Sequence, residues 1–492
     1  MPRPFHPAAT LLLVSALFQS QPPQSPLLRL EGKWRGTAGT DLDRVEIAFE
    51  FKRDSTGRLG AFLYSPVGNY YALPLPGHVE ADSGRVLLRA WGLILTPSGD
   101  TLRGTLFSTR VPVSLTRSRS LPAEVPVPNL PRGPGPIWQV KLGAPIYAAA
   151  ALRDGNVYVG TSGGLFHAIN GSNGKFVWSF DAGRPIYGAA ALADSAVYFV
   201  CDNGYLFKLG RRTGKEIWRY DLGDGRTSRV LMHQVIENSG DFDWDMSAPT
   251  PVLDDGAILV GSGDGGMHAV NAETGQRVWR FEGKEKIRGT AVVTPDRVVF
   301  GTFGGVVVAL DRRAGTKLWE WDSRGPIVTS VTLIGDHIVV GNRYGILGAL
   351  DPATGRVEWR MQLWGSSAES EAAPAGGTLF YFGSSDLRRV ALMDARDGRV
   401  LWRTDVFGWA WPRPVVHQNL LLVSTVGARP YEIRHQGALT AIDRSTGKIV
   451  WRWPMPELPG SWGYGFFAPP AVDGSHIVVG GLDGSLYGFN LR

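Results

Sequence analysis

Residues 160–178 read GTSGGLFHAINGSNGKFVW, and the stretch opens with a match to the serine-nucleophile pattern G-x-S-x-G. Such a nucleophile needs a strained turn between a strand and a helix, with Asp/Glu and His partners further along. Here Ser162 is followed by the short apolar run LFHAIN, a turn, and KFVW. That is strand, turn, strand, and the rest of the chain can test it.

Aligned on Trp178, the same sentence recurs. AINGSNGKFVW is followed by KLGRRTGKEIW to Trp218, AVNAETGQRVW to Trp279 and ALDRRAGTKLW to Trp319. Then come ALDPATGRVEW to Trp359, LMDARDGRVLW to Trp402 and AIDRSTGKIVW to Trp451. The spacings are 40, 61, 40, 40, 43 and 49 residues. A Gly stands four residues before the Trp in all seven copies, and an Asp or Asn eight before it in six, Gly210 being the exception. An Asx side chain closes a turn on its own backbone, and Gly supplies a positive φ. The Trp is a large plug between neighbouring sheets. Units of forty-odd residues with several strands each predict a β-propeller. Ser162 then sits in a repeated loop, equivalent to GSGDGG (261–266), GTFGG (301–305), GNRYG (341–345) and GGLDG (480–484). His167 and His268 share one repeat position, and His337 and His476 another, so all four read as strand residues rather than ligands.

Trp138, in GPIWQVKLG, lies 40 residues before Trp178 but lacks its own preceding strand. The C-terminal GGLDGSLYGFNLR has that strand but no following Trp. The two halves complement each other. Residues 136–142 should close the last blade, giving an all-β, eight-bladed ring over residues 132–492 that leaves no open seam. The unit G-x-x-x-A-[ILV]-[DN]-x-x-T-G-x-x-x-W resembles the PQQ-like propeller repeat, found in quinoprotein dehydrogenases and in the outer-membrane protein assembly factor BamB. The shared residues are structural, so the resemblance implies the fold more than an activity.

The other segments are distinct. Residues 1–20 are read as a signal peptide, from Arg3 and the apolar run near Ala8–Phe18, too short to span a bilayer. Residues 28–116 alternate as roughly eight strands and form a small β-barrel-like domain, whose opening GKW (Gly32, Trp34) and closing LTR resemble calycin-like barrels; a filled core or docking module is expected, with a small apolar ligand inside as the alternative. Residues 117–135 form a Pro-rich linker. The single Cys201 excludes an internal disulfide and leaves no Cys for a lipid anchor, so the expected location is periplasmic or secreted. A net charge of +6 spread over 492 residues, with no basic cluster, argues against nucleic acid.

Length variation falls mainly on one face of the disc. The connection after the Trp grows in 219–247, 360–373, 403–413 and 452–467, and one GTSGG-type loop expands to 424–437. Loops elaborated on one side of a regular scaffold usually bind. These carry the candidate binding residues Trp244, Trp364, Trp409, Trp411, Arg413, Arg429, Tyr431, Trp462 and Tyr464, with Trp453 beside them. Three of the four long connections lead into consecutive blades, so the site is expected off-centre. Asp241, Asp243 and Asp245 alternate as in a calcium loop, but Gly is missing at the sixth position and Glu at the twelfth. Glu369 and Glu371 read as a solvated acidic pair. The expected function is a non-catalytic, exported scaffold, a monomeric propeller, that binds an envelope protein, peptide or polysaccharide, with no cofactor expected. The alternatives are a PQQ- and calcium-dependent oxidoreductase, implied by the resemblance, and a carbohydrate-binding propeller.

Overall fold

The computed structural model describes residues 26–39, 44–67, 70–106, 111–124, 128–223, 229, 245–363, 367–385, 387–428 and 435–491. The signal-peptide segment and Trp244, Trp364, Arg429 and Tyr431 lie outside these.

Eight antiparallel sheets make the ring. Blades 1 to 7 span residues 151–181, 191–221, 252–282, 292–322, 332–362, 373–405 and 415–454. Blade 8 combines residues 471–490 with Trp138–Lys141, which pairs antiparallel with the last strand, Trp138 opposite Gly488. The closing strand is the one the sequence predicts. In each of blades 1 to 7 the first strand is innermost and the Trp strand outermost.

The repeated Trp and Gly turn out to be partners across blades. Trp138, Trp178, Trp218, Trp279, Trp319, Trp359 and Trp402 each donate their indole N–H to a carbonyl in the turn of the next blade, at 2.6–3.2 Å. The Gly of that turn has φ between 68° and 74°, and a Cβ on it would come within 2.5–2.9 Å of the indole. Gly is therefore required twice over, for conformation and for room. Trp451 has no such turn ahead of it, because blade 8 is closed from the other end of the chain. Gly133 of the linker takes the place: a Cβ there would come 2.3 Å from the Trp451 ring. The Gly133 N–H donates to Arg452 O at 2.8 Å, and the Arg452 N–H to Pro131 O at 2.9 Å. The linker thus makes one parallel bridge, Arg132 to Arg452, on the outer edge of blade 7.

Ser162 is a loop residue, its Oγ donating to Pro145 O at 2.9 Å. It is followed by the strand Leu165–Asn170, with no helix. The N-terminal unit is one curled antiparallel sheet of nine strands, not eight. GKW and LTR meet: Gly32–Ala38 pairs with Val111–Arg117, and the Arg117 guanidinium lies 4.5 Å over Trp34. Among the described residues no pairing joins its outer strands, Tyr70–Pro74 and Glu80–Asp82, so the barrel is not closed by hydrogen bonds. Trp34, Phe49, Phe51, Leu95 and Leu115 fill its core, and one apolar cluster continues from there to Ile334, Leu363, Phe382 and Leu387 of blades 5 and 6.

Candidate functional site

Each connection after a Trp must cross from the rim to the innermost strand of the next blade, so it delivers residues to the axis. Five residues before the inner strand of seven blades lies a buried residue, Ile146, Ile186, Ile287, Ile327, Ala368, Ala410 or Phe466, and blade 3 has the half-buried Ser247 there. The next residue turns toward the axis, and so does the one two further on, as extended backbone requires. All eight blades contribute to the rim of one cavity of about 160 Å³. This cavity lies on the axis, because length in a connection adds to the same central mouth. The GTSGG-type loops brace it from the same face: Ile186 N–H donates to Thr161 O at 3.0 Å and Phe303 N–H to Lys286 O at 2.7 Å.

The mouth has two unlike halves. Blades 7, 8, 1 and 2 supply Trp411, Phe467, Tyr147 and Tyr187. Their rings form an arc, with centroids 5.7 Å apart for Trp411–Phe467 and 5.3 Å for both Phe467–Tyr147 and Tyr147–Tyr187. Trp409 stacks behind Trp411 at 4.6 Å. Burial raises the Tyr187 phenol to about 12. At the end of the arc the Arg229 guanidinium lies 4.7 Å over the Tyr187 ring.

Blades 3 to 6 supply charge. Asp245, whose side chain is 0 % exposed, accepts from Arg229 at 2.9 Å and from Arg288 at 3.0 Å, with Lys286 at 3.4 Å. Burial opposes its charge, but the two guanidiniums hold the carboxyl below its usual range. Arg229 also binds Asp202 at 2.6 Å, tying the long connection 219–247 to blade 2. Glu369 pairs with Arg343 at 2.5 Å and accepts from Ser367 at 2.8 Å. Glu371 pairs with Arg413 at 3.0 Å.

Several expectations change here. Glu369 is not solvated but sits in a buried ion pair with its side chain only 4 % exposed, whereas Glu371 is partly exposed and pairs with Arg413. Asp245 is held by cations; Asp241 and Asp243 lie outside the described residues. Trp409 (1 % exposed), Trp453 (9 %) and Tyr464 (6 %) pack the loops down rather than offering open faces. Tyr464 donates its hydroxyl to His435 O at 3.3 Å. Trp462 is half-buried and packs, like Tyr147, against the cluster that holds Trp409 and Trp411. Of the five candidates among the described residues, Trp411 and Arg413 line the axial cavity. Tyr147, Tyr187, Phe467, Arg229 and Arg288 were missed; aligning the blades on the residue before each inner strand, instead of on the Trp, brings out Tyr147, Tyr187, Arg288 and Phe467.

The ring of eight sheets, with its Trp–Gly contacts between blades, defines an eight-bladed propeller of PQQ-like repeats. The profile of the family described as outer membrane protein assembly factor BamB matches residues 131–241, 202–381 and 386–492, and the chain belongs to that family. Outer membrane protein assembly factor BamB of Yersinia pestis is 34 % identical over 115 residues, 23 % of this chain and 26 % of that protein. The match thus spans about a quarter of the relative's length. Among solved structures, quinohemoprotein alcohol dehydrogenase from Comamonas testosteroni superposes with a TM-score of 0.54 at 15 % identity, over 72 % of this chain and 76 % of that one. The computationally designed protein Ika8 gives 0.55 at 14 % identity, over 73 % and 100 %. At such identities the likeness shows the fold alone.

Proposed function

We propose that the chain is an exported, non-catalytic binding protein that holds a segment of a protein partner in its axial mouth. The observation that carries this reading is the division of the mouth into an aromatic arc and an arc of charges committed to one another. An acid, base or nucleophile has to face substrate with its proton or lone pair available. Here Asp245, Glu369 and Glu371 are each engaged by guanidinium groups. Aromatic side chains with Arg at their edge are the usual anchors of protein interfaces. The name of the Yersinia pestis relative, an assembly factor, supports a protein partner. Export rests on the N-terminal apolar run; among the described residues no helix is long and apolar enough to cross a membrane.

A quinone-dependent oxidoreductase is the second reading, favoured by Trp411 at the axis. In such an enzyme the quinone accepts the substrate's electrons while calcium polarises it. The residues do not fit that pair. Calcium takes six to eight oxygen ligands, whereas the axial carboxylates are in ion pairs and no group of three possible ligands stands together among the described residues. Cys201 is the chain's single cysteine, so no adjacent pair can cap a quinone. Carbohydrate binding wants an open aromatic platform, and the arc is largely buried.

The test is titration of pyrroloquinoline quinone with Ca²⁺ into the full chain, followed by dialysis. The expected result is no retained quinone; stoichiometric retention would overturn the reading.

A further inference from the structure

Except on blade 7, where the linker bonds to Arg452, the outer strand of each blade pairs on one side only among the described residues, so its other edge is open. In seven of the eight blades the residue just before the Trp is apolar and exposed, from Val450 at 40 % to Val278 at 56 %; blade 5 has Glu358 instead. Exposed strand edges are templates for pairing with other chains, and proteins commonly guard them with charge. Five blades do so within the outer strand, with Arg219, Arg280, Glu320, Arg360 and Arg403 directly after the Trp; Arg452 of blade 7 is buried, and its edge carries the linker. Blade 1 does not. Its outer strand, Phe176–Asp181, reads FVWSFD, with Phe176 50 % and Val177 49 % exposed and charges only at its ends, Lys175 and Asp181. The short closing strand of blade 8 beside it, Trp138–Lys141, is likewise uncharged until its last residue.

The molecule itself demonstrates what such an edge can hold. On blade 7 the linker pairs with the outer strand through both the N–H and the C=O of Arg452, the residue after the Trp. Those two groups point outward because Arg452 lies opposite Thr440 in the ladder. Ser179 lies opposite His167 in the same register of blade 1, one residue after Trp178. Its N–H and C=O therefore face outward in the same way, and no strand covers them among the described residues.

We propose that the outer edge of blade 1, centred on Ser179, is a second docking surface, which takes an extended, alternately apolar segment of a partner protein as an added strand. Main-chain hydrogen bonds to Ser179 supply the register, and Phe176 and Val177 supply apolar anchors, the ordinary division of labour in strand addition. This surface lies on the rim and is independent of the axial mouth, so either can fail without the other.

The test uses the full chain and a defined probe, a soluble capped hexapeptide of alternating Thr and Val. Amide hydrogen exchange is read at Ser179 and, as a control, at Arg280 on blade 3. The expected result is a slowing of at least ~10-fold at Ser179 with saturating peptide and none at Arg280. The double change Phe176→Lys and Val177→Lys should abolish it, and Val278→Lys should not. Both sets are exposed, so unchanged thermal melting would show that folding is intact. No slowing at Ser179, equal slowing on blade 3, or slowing that survives the double Lys change would overturn the proposal. Concentration-dependent protection of Ser179 without peptide would also overturn it, assigning the edge to a second copy of this chain.

Discussion

Asp245 carries three cations on one buried carboxylate, and removing its charge takes the carboxylate from the buried Arg288 and leaves Arg229 to Asp202. Asp245→Asn is expected to cost about 3–5 kcal/mol of stability, measured by urea unfolding. The folded carboxyl is depressed, so its contribution is present above the ordinary carboxylate range and is lost as pH falls through its lowered value. Two histidines act earlier in an acid titration. Burial lowers both His167 and His268 from 6.5 to about 4, so the unfolded chain takes up protons first. Stability is full above pH 6.5 and declines down to about pH 4, by on the order of 3 kcal/mol for each histidine. Changing both to Gln should flatten the melting temperature across that window; an unaltered slope would count against the assignment. The strand reading of these histidines was available from the repeat. The role of Asp245 was not: alternating aspartates look the same whether cations or a metal hold them, and its guanidinium partners come from the next blade and from earlier in its own long connection.

At the scale of the element, the turn glycines and the linker strap make separable predictions. Gly275→Ala puts a Cβ 2.9 Å from the Trp218 ring in a left-handed backbone, whereas Gly57→Ala meets nothing within 4 Å at a similar φ. The second should cost about 1 kcal/mol for conformation alone, and the first about 2–3 kcal/mol, compared by chemical denaturation. In the strap, Gly133→Leu cannot sit against Trp451, and the Arg452 amide should exchange at least ~10-fold faster. The Gly and Trp of each turn were legible from spacing, since seven copies in register leave little freedom. That each Gly receives the Trp of the preceding blade was not legible, because the contact crosses a blade boundary. The axial positions were hidden for a different reason. The tetrapeptides before the inner strands vary from IYAA to AESE and AWPR, so no shared letter marks them.

For the whole molecule, closure of the ring by Trp138–Lys141 was legible from two incomplete repeats at opposite ends of the chain, which only a circle reconciles. Trp138→Ala removes the bond to Gly171 and the contact with Gly174 at that seam, and should cost about 3 kcal/mol in thermal or urea unfolding. Closure also explains why the mouth is central: every connection between blades passes from rim to axis on one face, whatever its length. The most direct measurement of the central claim is photo-crosslinking in the cells that make the protein, with benzoylphenylalanine at position 413 in the mouth and, separately, at 473 in a turn of the opposite face. A discrete protein adduct from position 413 and none from 473 is the predicted result. No adduct from 413, or the same adducts from both faces, would contradict a binding mouth at the axis.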